Sequence, residues 1–477
     1  MTASRAAVRR RVTVVGGGLA GITAALRCAD AGCDVTLHEA RPRLGGQTHS
    51  FRRRLADDVA TDHDDGFWVD NGQHVFLRCC TAYEGLLERL GVARQTTVQD
   101  RLDIAVRTND GVAHLRRGGL PAPLHLASSL LRFPLLAPSE RIGFARAARA
   151  LARVDAASPA ADASSFGEWL RDHGQSEHAV TALWDLVGVA ALNARADDAS
   201  LALAATVFQR GLLREPAAGD IGWSTVPLQQ LHGDAAETAL AAAGAHVCLR
   251  SKVEALAAGQ GRWHVVTATG IEPADVVVLA APPAVTARLL PAGALDVPAG
   301  WASSLGASPI VNLHLLVDRR VLVEPFLAGI AATTPGGRPE YLWVFDRTTL
   351  AGLGGTRLQY LAVSLSAADE LVDLPSRVLR QRFTGPLESM LPGLAHASVL
   401  DFFVTREREA TFRPGAGSNA VRPGTSTRLP RLHLAGAWTA TGWPATMEGA
   451  VRSGDAAARA VLASPPVDTA ARGRVVA

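Results

Sequence analysis

The sequence has almost no lysine. Lys252 is the only one, and the other 47 basic residues are arginines. Any mechanism that needs a lysine elsewhere in the chain is therefore excluded. Basic and acidic residues nearly balance, 48 against 45, so the formal net charge is only +3. That balance gives no electrostatic footprint for nucleic acid.

Cysteines are few, and their spacing contains neither a CxxC pair nor the ligand pattern of a zinc site. The five are Cys28, Cys33, Cys79, Cys80 and Cys248. We expect reduced thiols in a cytoplasmic protein and no metal site. Long apolar runs are also absent, which excludes a transmembrane helix. Disorder is excluded by 48% hydrophobic against 19% charged residues. The 477 residues predict two to four packed units.

The N-terminal region is not typical of a secretory leader. Three arginines (9–11) precede an apolar stretch, but that stretch, Val12–Val15, is only four residues long before three glycines. A leader needs a longer apolar core and a small-residue cleavage site. The pattern predicts a buried parallel strand after a frayed arm at residues 1–10.

A dinucleotide-binding pattern follows this strand. Gly16, Gly18 and Gly21 form GxGxxG, an apolar helical pattern runs to Gly32, and a second strand ends in Glu39. The glycines allow a tight turn, approach to a pyrophosphate and close packing of helix on strand. The helix N-terminus attracts phosphate, and Glu39 is placed to accept hydrogen bonds from ribose hydroxyls.

The next residues distinguish between dinucleotides. Residues 39–46, which end in Gly45-Gly46, resemble the motif of the FAD-dependent amine oxidase and phytoene desaturase superfamily. The resemblance implies that the cofactor is FAD. Members of this superfamily usually have arginine after the glycine pair, close to the phosphates, where this chain has Gln47. Arg41 or Arg43 is a candidate to supply the missing charge.

The resemblance continues in two distant segments. Residues 246–249 and 252–256 are predicted strands, followed by a turn at 270–273 and a strand from 274, although ordinary buried strands would give the same pattern. The resemblance implies that Val253 contacts adenine through its backbone. Residues 432–439 are predicted as a strand that ends in a glycine turn at Gly436, and a helix opens at Thr446-Met447. The resemblance implies that the N-terminus of this helix faces the flavin. Ala437 stands where the family commonly has aspartate.

The candidate catalytic residues lie in the segment 69–76. Gly72 would let the backbone lie against the flavin ring. His74 is the first candidate because imidazole titrates near neutral pH, and the alternative is a core histidine bonded to a carbonyl. Asp70 is the second candidate, with the alternative that it only holds the loop in shape. Asn193 and Asn312 are possible hydrogen-bond partners for a substrate hydroxyl.

Residues 121–154 combine apolar side chains with arginines. Such a segment can lie at a membrane surface, with the arginines extending to the head groups. The alternative is an internal pair of amphipathic helices broken at Pro134 and Pro138.

A closer resemblance, over about residues 11–462, is to the hydroxysqualene dehydroxylases. The blocks that carry it are 70–74, 124–136, 189–193, 309–314, 341–347 and 363–368. It implies reduction of hydroxysqualene to squalene by hydride from FAD, in a cytoplasmic protein that is peripheral on the inner face of the cell membrane. A carotenoid desaturase, a flavin amine oxidase and a non-catalytic prenyl-lipid binding protein of the GDP-dissociation-inhibitor type are the alternatives.

These patterns predict an α/β protein with a discontinuous, Rossmann-like FAD-binding domain and a mixed sheet-plus-helix substrate domain. The first is assigned to residues 1–78, 225–290 and 425–463. The second is assigned to 79–224 and 291–424, which leave a tail at 464–477.

Overall fold

The structure, a computed structural model, describes residues 9–54, 66–108, 111–259, 261–333 and 337–465. Most of the predicted N-terminal arm (1–8) and of the predicted tail (466–477) lies outside the described residues.

The strands of the described residues, numbered in chain order, are these: β1 (Arg11–Val15), β2 (Asp34–His38), β3 (Ser50–Arg53), β4 (Phe67–Asp70), β5 (Val75–Leu77), β6 (Thr96–Val98), β7 (Asp103–Thr108), β8 (Gly111–Arg116), β9 (Ile221–Ser224), β10 (His246–Cys248), β11 (Val253–Gly259), β12 (Arg262–Thr267), β13 (Gly270–Ala274), β14 (Val276–Leu279), β15 (Ser308–Val317), β16 (Phe326–Ala331), β17 (Glu340–Asp346), β18 (Gln359–Leu365), β19 (Val399–Thr411) and β20 (Leu432–Leu434).

The α-helices are these: α1 (Leu19–Asp30), α2 (Thr81–Arg89), α3 (Ala127–Leu131), α4 (Pro138–Leu151), α5 (Pro159–Ala163), α6 (Phe166–Asp172), α7 (Glu177–Ala179), α8 (Asp185–Leu192), α9 (Leu201–Phe208), α10 (Ala235–Ala242), α11 (Pro283–Leu289), α12 (Trp301–Ser304), α13 (Ser376–Met390), α14 (Ser418–Val421) and α15 (Met447–Ala463). Short π-helical segments precede α8 and α10 and follow α9.

A five-stranded parallel sheet has the order β10-β2-β1-β14-β20. Its strands come from all three segments that the sequence assigns to the FAD-binding domain. The central strands are mostly apolar because one face of the sheet packs against α1 and α15 and the other packs against β12 and β13. Helices α1 and α15 pack closely: a Cβ at Gly454 would clash with the carbonyl oxygen of Ala20. The start of α15 is thereby fixed relative to the glycine turn before α1.

A three-stranded antiparallel sheet, β11-β12-β13, corrects one prediction. The sequence predicts a turn at 270–273, but Gly270–Ala274 is strand β13, and Thr267 pairs with Gly270 across a two-residue turn at 268–269. Glycine and proline misled the prediction. Strand β13 lies at the sheet edge, where Pro273, which lacks an N–H group, is tolerated.

The largest sheet has seven strands in the order β19-β15-β18-β17-β16-β7-β8. One face packs against α13 through a buried apolar cluster that includes Leu313, Leu342 and Phe383. Two smaller sheets, β3-β4 and β5-β9-β6, connect the two large ones. Strand β4 leads directly into the loop that carries Asn71, Gly72 and His74.

The segment 121–154 forms α3 and α4, and the break between them contains Pro134 and ends at Pro138. Pro138 occupies the first turn of α4, where its missing N–H costs nothing. Helix α4 buries Phe144 and Leu151 but leaves Ile142 exposed. Among the described residues, no helix has both the length and the apolar character needed to span a bilayer.

Candidate active site

The first glycine turn requires glycine for backbone reasons. Gly16 has φ +109°, and a Cβ there would lie 2.6 Å from the carbonyl oxygen of Ala280. A Cβ at Gly21 would clash with the carbonyl oxygen of Gly16. Gly18 is the N-cap of α1 and has no side chain to bond the first-turn N–H groups. Those N–H groups are therefore available to an anion.

A second glycine turn lies against the first. Gly45 and Gly46 have φ of +100° and +60°, and a Cβ at Gly46 would lie 2.8 Å from Cα of Gly18. The two turns form one surface of bare backbone beside the N-terminus of α1. A cradle that any side chain would fill, with unbonded N–H groups at its floor, fits the diphosphate of a dinucleotide.

Glu39 is buried at the end of β2 and is already bonded to this backbone. Its Oε2 accepts from the Gly17 N–H at 2.6 Å, and its Oε1 accepts from the Arg41 N–H at 2.8 Å. A carboxylate oxygen has two acceptor positions, so each oxygen retains one for a ribose hydroxyl. The geometry thus fits the predicted role of Glu39.

One of the two candidate arginines lies at the second glycine turn, beside the uncharged Gln47. Gln47 Nε2 donates to the Glu409 carbonyl at 2.8 Å, which ties this side chain to β19. Arg43 Nη1 donates to the Gly46 carbonyl at 3.1 Å, so its guanidinium lies at the second glycine turn. Burial, then Arg43 and the exposed Arg41, lower the pKa of His49 to about 4. Arg43 is thus the cation best placed to meet the cofactor phosphates.

The C-terminal motif forms the start of α15. Gly436 has φ +146°, and its N–H donates to Ser453 Oγ at 2.8 Å. Thr446 caps α15 by accepting from the Gly449 N–H at 3.1 Å, and Met447 is the first helical residue. Val253 is buried at the start of β11, and its predicted contact with adenine stays a prediction.

A buried arginine that the sequence analysis missed holds the loop before α15. Arg422 donates to the carbonyls of Ala437 at 3.1 Å and Trp443 at 2.9 Å, and also to those of Trp438 and Thr439. Burial lowers its pKa to about 10. Nothing in the sequence near Arg422 marks it, because the carbonyls it binds lie 15 or more residues away.

Asp70 is fully engaged at the end of β4. Its carboxylate accepts from Ser50 Oγ at 2.6 Å and from the Leu228 N–H at 3.1 Å, and it pairs with Arg347 Nη2 at 3.0 Å. Both ionic partners are buried. These contacts tie the carboxylate to three neighbouring elements, so the geometry favours the alternative in which Asp70 shapes the loop.

His74 is oriented by the same loop. Its Nδ1–H donates to the Gly72 carbonyl at 3.1 Å, and burial lowers the pKa of the imidazole. Neutral His74 therefore presents Nε2 as an acceptor, and no residue in the described ranges bonds to this atom. The geometry favours a residue that accepts a hydrogen bond from a substrate hydroxyl.

The two asparagines differ. Asn193 has φ +57°, and its amide is bonded to the fold: Nδ2 donates to the Ser308 carbonyl at 2.9 Å and to Thr411 Oγ1 at 3.1 Å, and Oδ1 accepts from the Ala367 N–H at 2.6 Å. These bonds give Asn193 a structural role. Asn312 Nδ2 donates to the Asn71 carbonyl at 3.2 Å, while Oδ1 has no partner in the described part of the chain.

Within the described ranges, no group of three or more histidine, cysteine, aspartate or glutamate side chains is close enough to hold a metal ion.

Comparison with known proteins matches these features. Residues 19–462 match the family described as flavin containing amine oxidoreductase. A hydroxysqualene dehydroxylase of Rhodopseudomonas palustris is 30% identical over 95% of this chain and 99% of its own length. A zeta-carotene desaturase of Synechocystis sp. is 23% identical over 95% of this chain and 97% of its own length. The solved cyclohexylamine oxidase of Brevibacterium oxydans has a TM-score of 0.66 at 18% identity, over 95% of this chain and 98% of that one.

The α/β fold and the FAD cofactor predicted from the sequence are thus confirmed. The chain belongs to the flavin-containing amine oxidoreductases, in the branch of the hydroxysqualene dehydroxylases, and it is an FAD-dependent oxidoreductase.

Proposed function

We propose that this protein converts hydroxysqualene to squalene by reductive dehydroxylation. The observation that carries the proposal is the relative of that name, which matches over nearly the full length of both chains. The zeta-carotene desaturase is less similar over the same span, which favours dehydroxylation over carotenoid desaturation.

The overall reaction replaces a carbon–oxygen bond with a carbon–hydrogen bond. The oxygen leaves with a proton as water, and the carbon receives a hydride, which bound FAD supplies when reduced. The chain must orient the carbinol carbon and exclude water. The two glycine turns hold the cofactor, and the loop at 70–74 presents its backbone and His74 to the reacting group.

His74 is proposed as the catalytic residue that contacts the hydroxyl, with Nε2 as the contacting atom. Its neutral form orients the hydroxyl, and the protonated form, which burial disfavours, would donate the proton to the leaving oxygen. Asp70 is proposed to act on the loop through its pair with Arg347.

The lipid-binding alternative depended on Gln47 and Ala437. Arg43 now provides a cation at the second glycine turn, and the glycine cradle is intact. Both observations support a protein that holds FAD and weigh against the lipid-binding alternative.

The proposal includes contact with a membrane surface through residues 121–154. Exposed apolar side chains are concentrated on and beside this segment: Val112, Leu120, Leu124, Leu131 and Ile142. Arg132, Arg146 and Arg149 are exposed on the same segment. Apolar side chains bounded by cations are typical of surfaces that insert between anionic lipids.

A long hydrocarbon substrate dissolves in lipid, so an enzyme that acts on it gains from lying at the bilayer. All five cysteines are free, as a reducing compartment keeps them. Both observations support a location in the cytoplasm, at the inner face of the cell membrane.

The test of the activity is an anaerobic incubation of the FAD-loaded protein, chemically reduced, with hydroxysqualene. We expect squalene and oxidised FAD in equal amounts, because each turnover consumes one hydride. The control is the same mixture with oxidised FAD, which should form no squalene. Absence of squalene from protein whose FAD is bound and reduced would overturn the proposal.

A further inference from the structure

The seven-stranded sheet has two unlike faces. On the face against α13, Leu313, Leu342 and Val363 are fully buried. On the opposite face, Ile330, Trp343 and Ser364 retain partial exposure although they lie on interior strands of the sheet. An interior strand offers side chains to solvent only where the layer above it is open. The layer above this face therefore leaves part of it uncovered at these three positions.

Three polar side chains form a row on that open face. Asn312 of β15 pairs directly with Ser364 of β18, and Ser364 pairs with Trp343 of β17. Residues that pair directly across strands project from the same face with their Cβ atoms about 5 Å apart. The row therefore presents an amide, a hydroxyl and an indole side by side, and we call it the polar row.

The polar row contains one hydrogen-bond acceptor and one donor that are both without a partner in the described residues. Asn312 is fully buried, and its Oδ1 lacks a partner within the described ranges. The indole N–H of Trp343 is buried and equally without a partner there. An unsatisfied buried donor or acceptor costs about 1–3 kcal/mol, so such groups in one place indicate a ligand. An alcohol satisfies both, because its oxygen accepts and its O–H donates.

The polar row also adjoins the loop that carries His74. A Cβ at Gly72 would lie 3.5 Å from Nδ2 of Asn312 and 3.6 Å from Cε1 of His74. Asn312 itself bonds the backbone of Asn71. A group that binds the row is thereby held beside the residue proposed to act on it.

The surroundings of the row are aromatic. The ring of Phe326 lies 6.3 Å from that of Trp343 and 5.6 Å from that of Trp223, centroid to centroid. Phe345 lies 5.8 Å from Phe326 on the same side. Aromatic walls suit the unsaturated chain of an isoprenoid and leave the row as the polar contact for its one oxygen.

We propose that Asn312, Ser364 and Trp343 form the subsite that binds the hydroxyl of a long-chain isoprenoid alcohol. Trp343 Nε1–H donates to the hydroxyl oxygen, and the single hydroxyl proton is donated to Asn312 Oδ1 in the resting orientation and to His74 Nε2 in the reacting one. The inference rests on the proposed function for the identity of the alcohol. A product without the hydroxyl leaves both groups unsatisfied, so the subsite holds substrate in preference to product.

The test compares the binding of hydroxysqualene and squalene to the enzyme loaded with oxidised FAD, which cannot reduce either. In Trp343→Phe, the shape of the wall is largely kept and only the donor is lost. We expect hydroxysqualene to bind about tenfold more weakly, the effect of one buried hydrogen bond, and squalene to bind as before. Ser364→Ala, a smaller change, should shift the ratio of the two affinities in the same direction.

The matched control is Trp223→Phe, which alters the same aromatic wall outside the polar row. It should change the two affinities in parallel. Equal weakening of both ligands by Trp343→Phe, or no change in their ratio in either row variant, would overturn the subsite. A third outcome separates the two proposals. If Trp343→Phe no longer binds hydroxysqualene more tightly than squalene, but the parent enzyme never forms squalene, the subsite is supported and only the proposed function is overturned.

Discussion

At the scale of single residues, the described part of the chain contains one strongly destabilised carboxyl group in the substrate region. Asp185, at the start of α8, is buried and accepts from the Ala196 N–H at 2.8 Å. Burial raises the pKa of its carboxyl group to about 6. No cation lies within ion-pair distance in the described ranges. Ionisation of Asp185 therefore lowers the free energy of unfolding when the pH is above that value.

Replacement of Asp185 by asparagine should stabilise the protein at high pH. A raised acid pKa means that the folded state binds a proton more tightly than the unfolded state, so stability is lost as the pH rises through about 6. Asparagine keeps the acceptor and cannot ionise. Asp185→Asn should gain up to about 3 kcal/mol at pH 8, following from a shift of about two pKa units, and nothing below about pH 4.

The measurement is urea unfolding at pH 8, 6 and 4, with Asp172→Asn on the exposed surface of α6 as control. The control should change stability by less than about 0.5 kcal/mol at each pH. A gain in stability that is the same at all three pH values would contradict a raised pKa for Asp185.

At the scale of elements, the loop between β20 and α15 is organised by a single side chain. Arg422 binds four of its carbonyls, and the N–H of Asn419 next to it bonds Asp162 of α5 at 3.1 Å. The guanidinium also lies over the ring of Phe412, 4.7 Å from its centroid. The arginine that holds the loop is thus itself positioned by contacts near two distant parts of the chain, Phe412 and Asp162.

Replacement of Arg422 by methionine should weaken FAD binding and lower the melting temperature. The change leaves several buried carbonyl groups without a hydrogen-bond donor. Each unsatisfied carbonyl costs about 1–3 kcal/mol of stability. We expect FAD to dissociate during gel filtration, measured by absorbance of the eluted protein. Arg422→Lys should restore little, because an ammonium cannot reproduce the planar set of donors.

The control is Arg408→Met, which removes an exposed pair with Asp373. Exposed pairs contribute about 0–1 kcal/mol, so this variant should retain its FAD. Full retention of FAD by Arg422→Met would show that the loop does not need this arginine.

At the scale of the whole molecule, exposed apolar residues are unevenly distributed. Leu131 is 67% exposed and Ile142 is 55% exposed, and Leu120, Leu124 and Val112 accompany them. Isolated exposed apolar residues also occur elsewhere, as at Ile271 and Val323. Only a group of them, with arginines beside it, supplies enough apolar area to hold a protein on a bilayer.

The double variant Leu131→Ser, Ile142→Ser should therefore bind lipid vesicles less tightly. Each side chain contributes about 1.5–3 kcal/mol when it is fully buried, so we expect at least about a tenfold loss. The measurement is co-sedimentation with vesicles that contain anionic phospholipid. Ile271→Ser, Val323→Ser removes two equally exposed residues and should bind as the parent does. Equal losses in both double variants would contradict a specific membrane face.

The sequence by itself determined the family, the α/β fold and the cofactor. These were readable because the glycine turns act locally: Gly16, Gly21 and Gly46 are required by their own φ angles or by backbone a few residues away. The turn predicted at 270–273 was wrong because local glycine and proline preferences cannot detect the pairing of β13 with β12. The domain boundaries and the catalytic roles of His74 and Asp70 stay predictions.

Only the tertiary structure decided how the site is assembled. Asp70 pairs with Arg347 across 277 positions of sequence, and Arg422 binds loop carbonyls that lie 15 or more positions away. The polar row exists only in the register of β15, β18 and β17, since a slip of one residue would turn each member to the opposite face. A pattern along the chain records which side chains share an element. Which elements meet depends on packing between residues far apart in sequence, and that packing places Asn312 and Trp343 on one face of the same sheet.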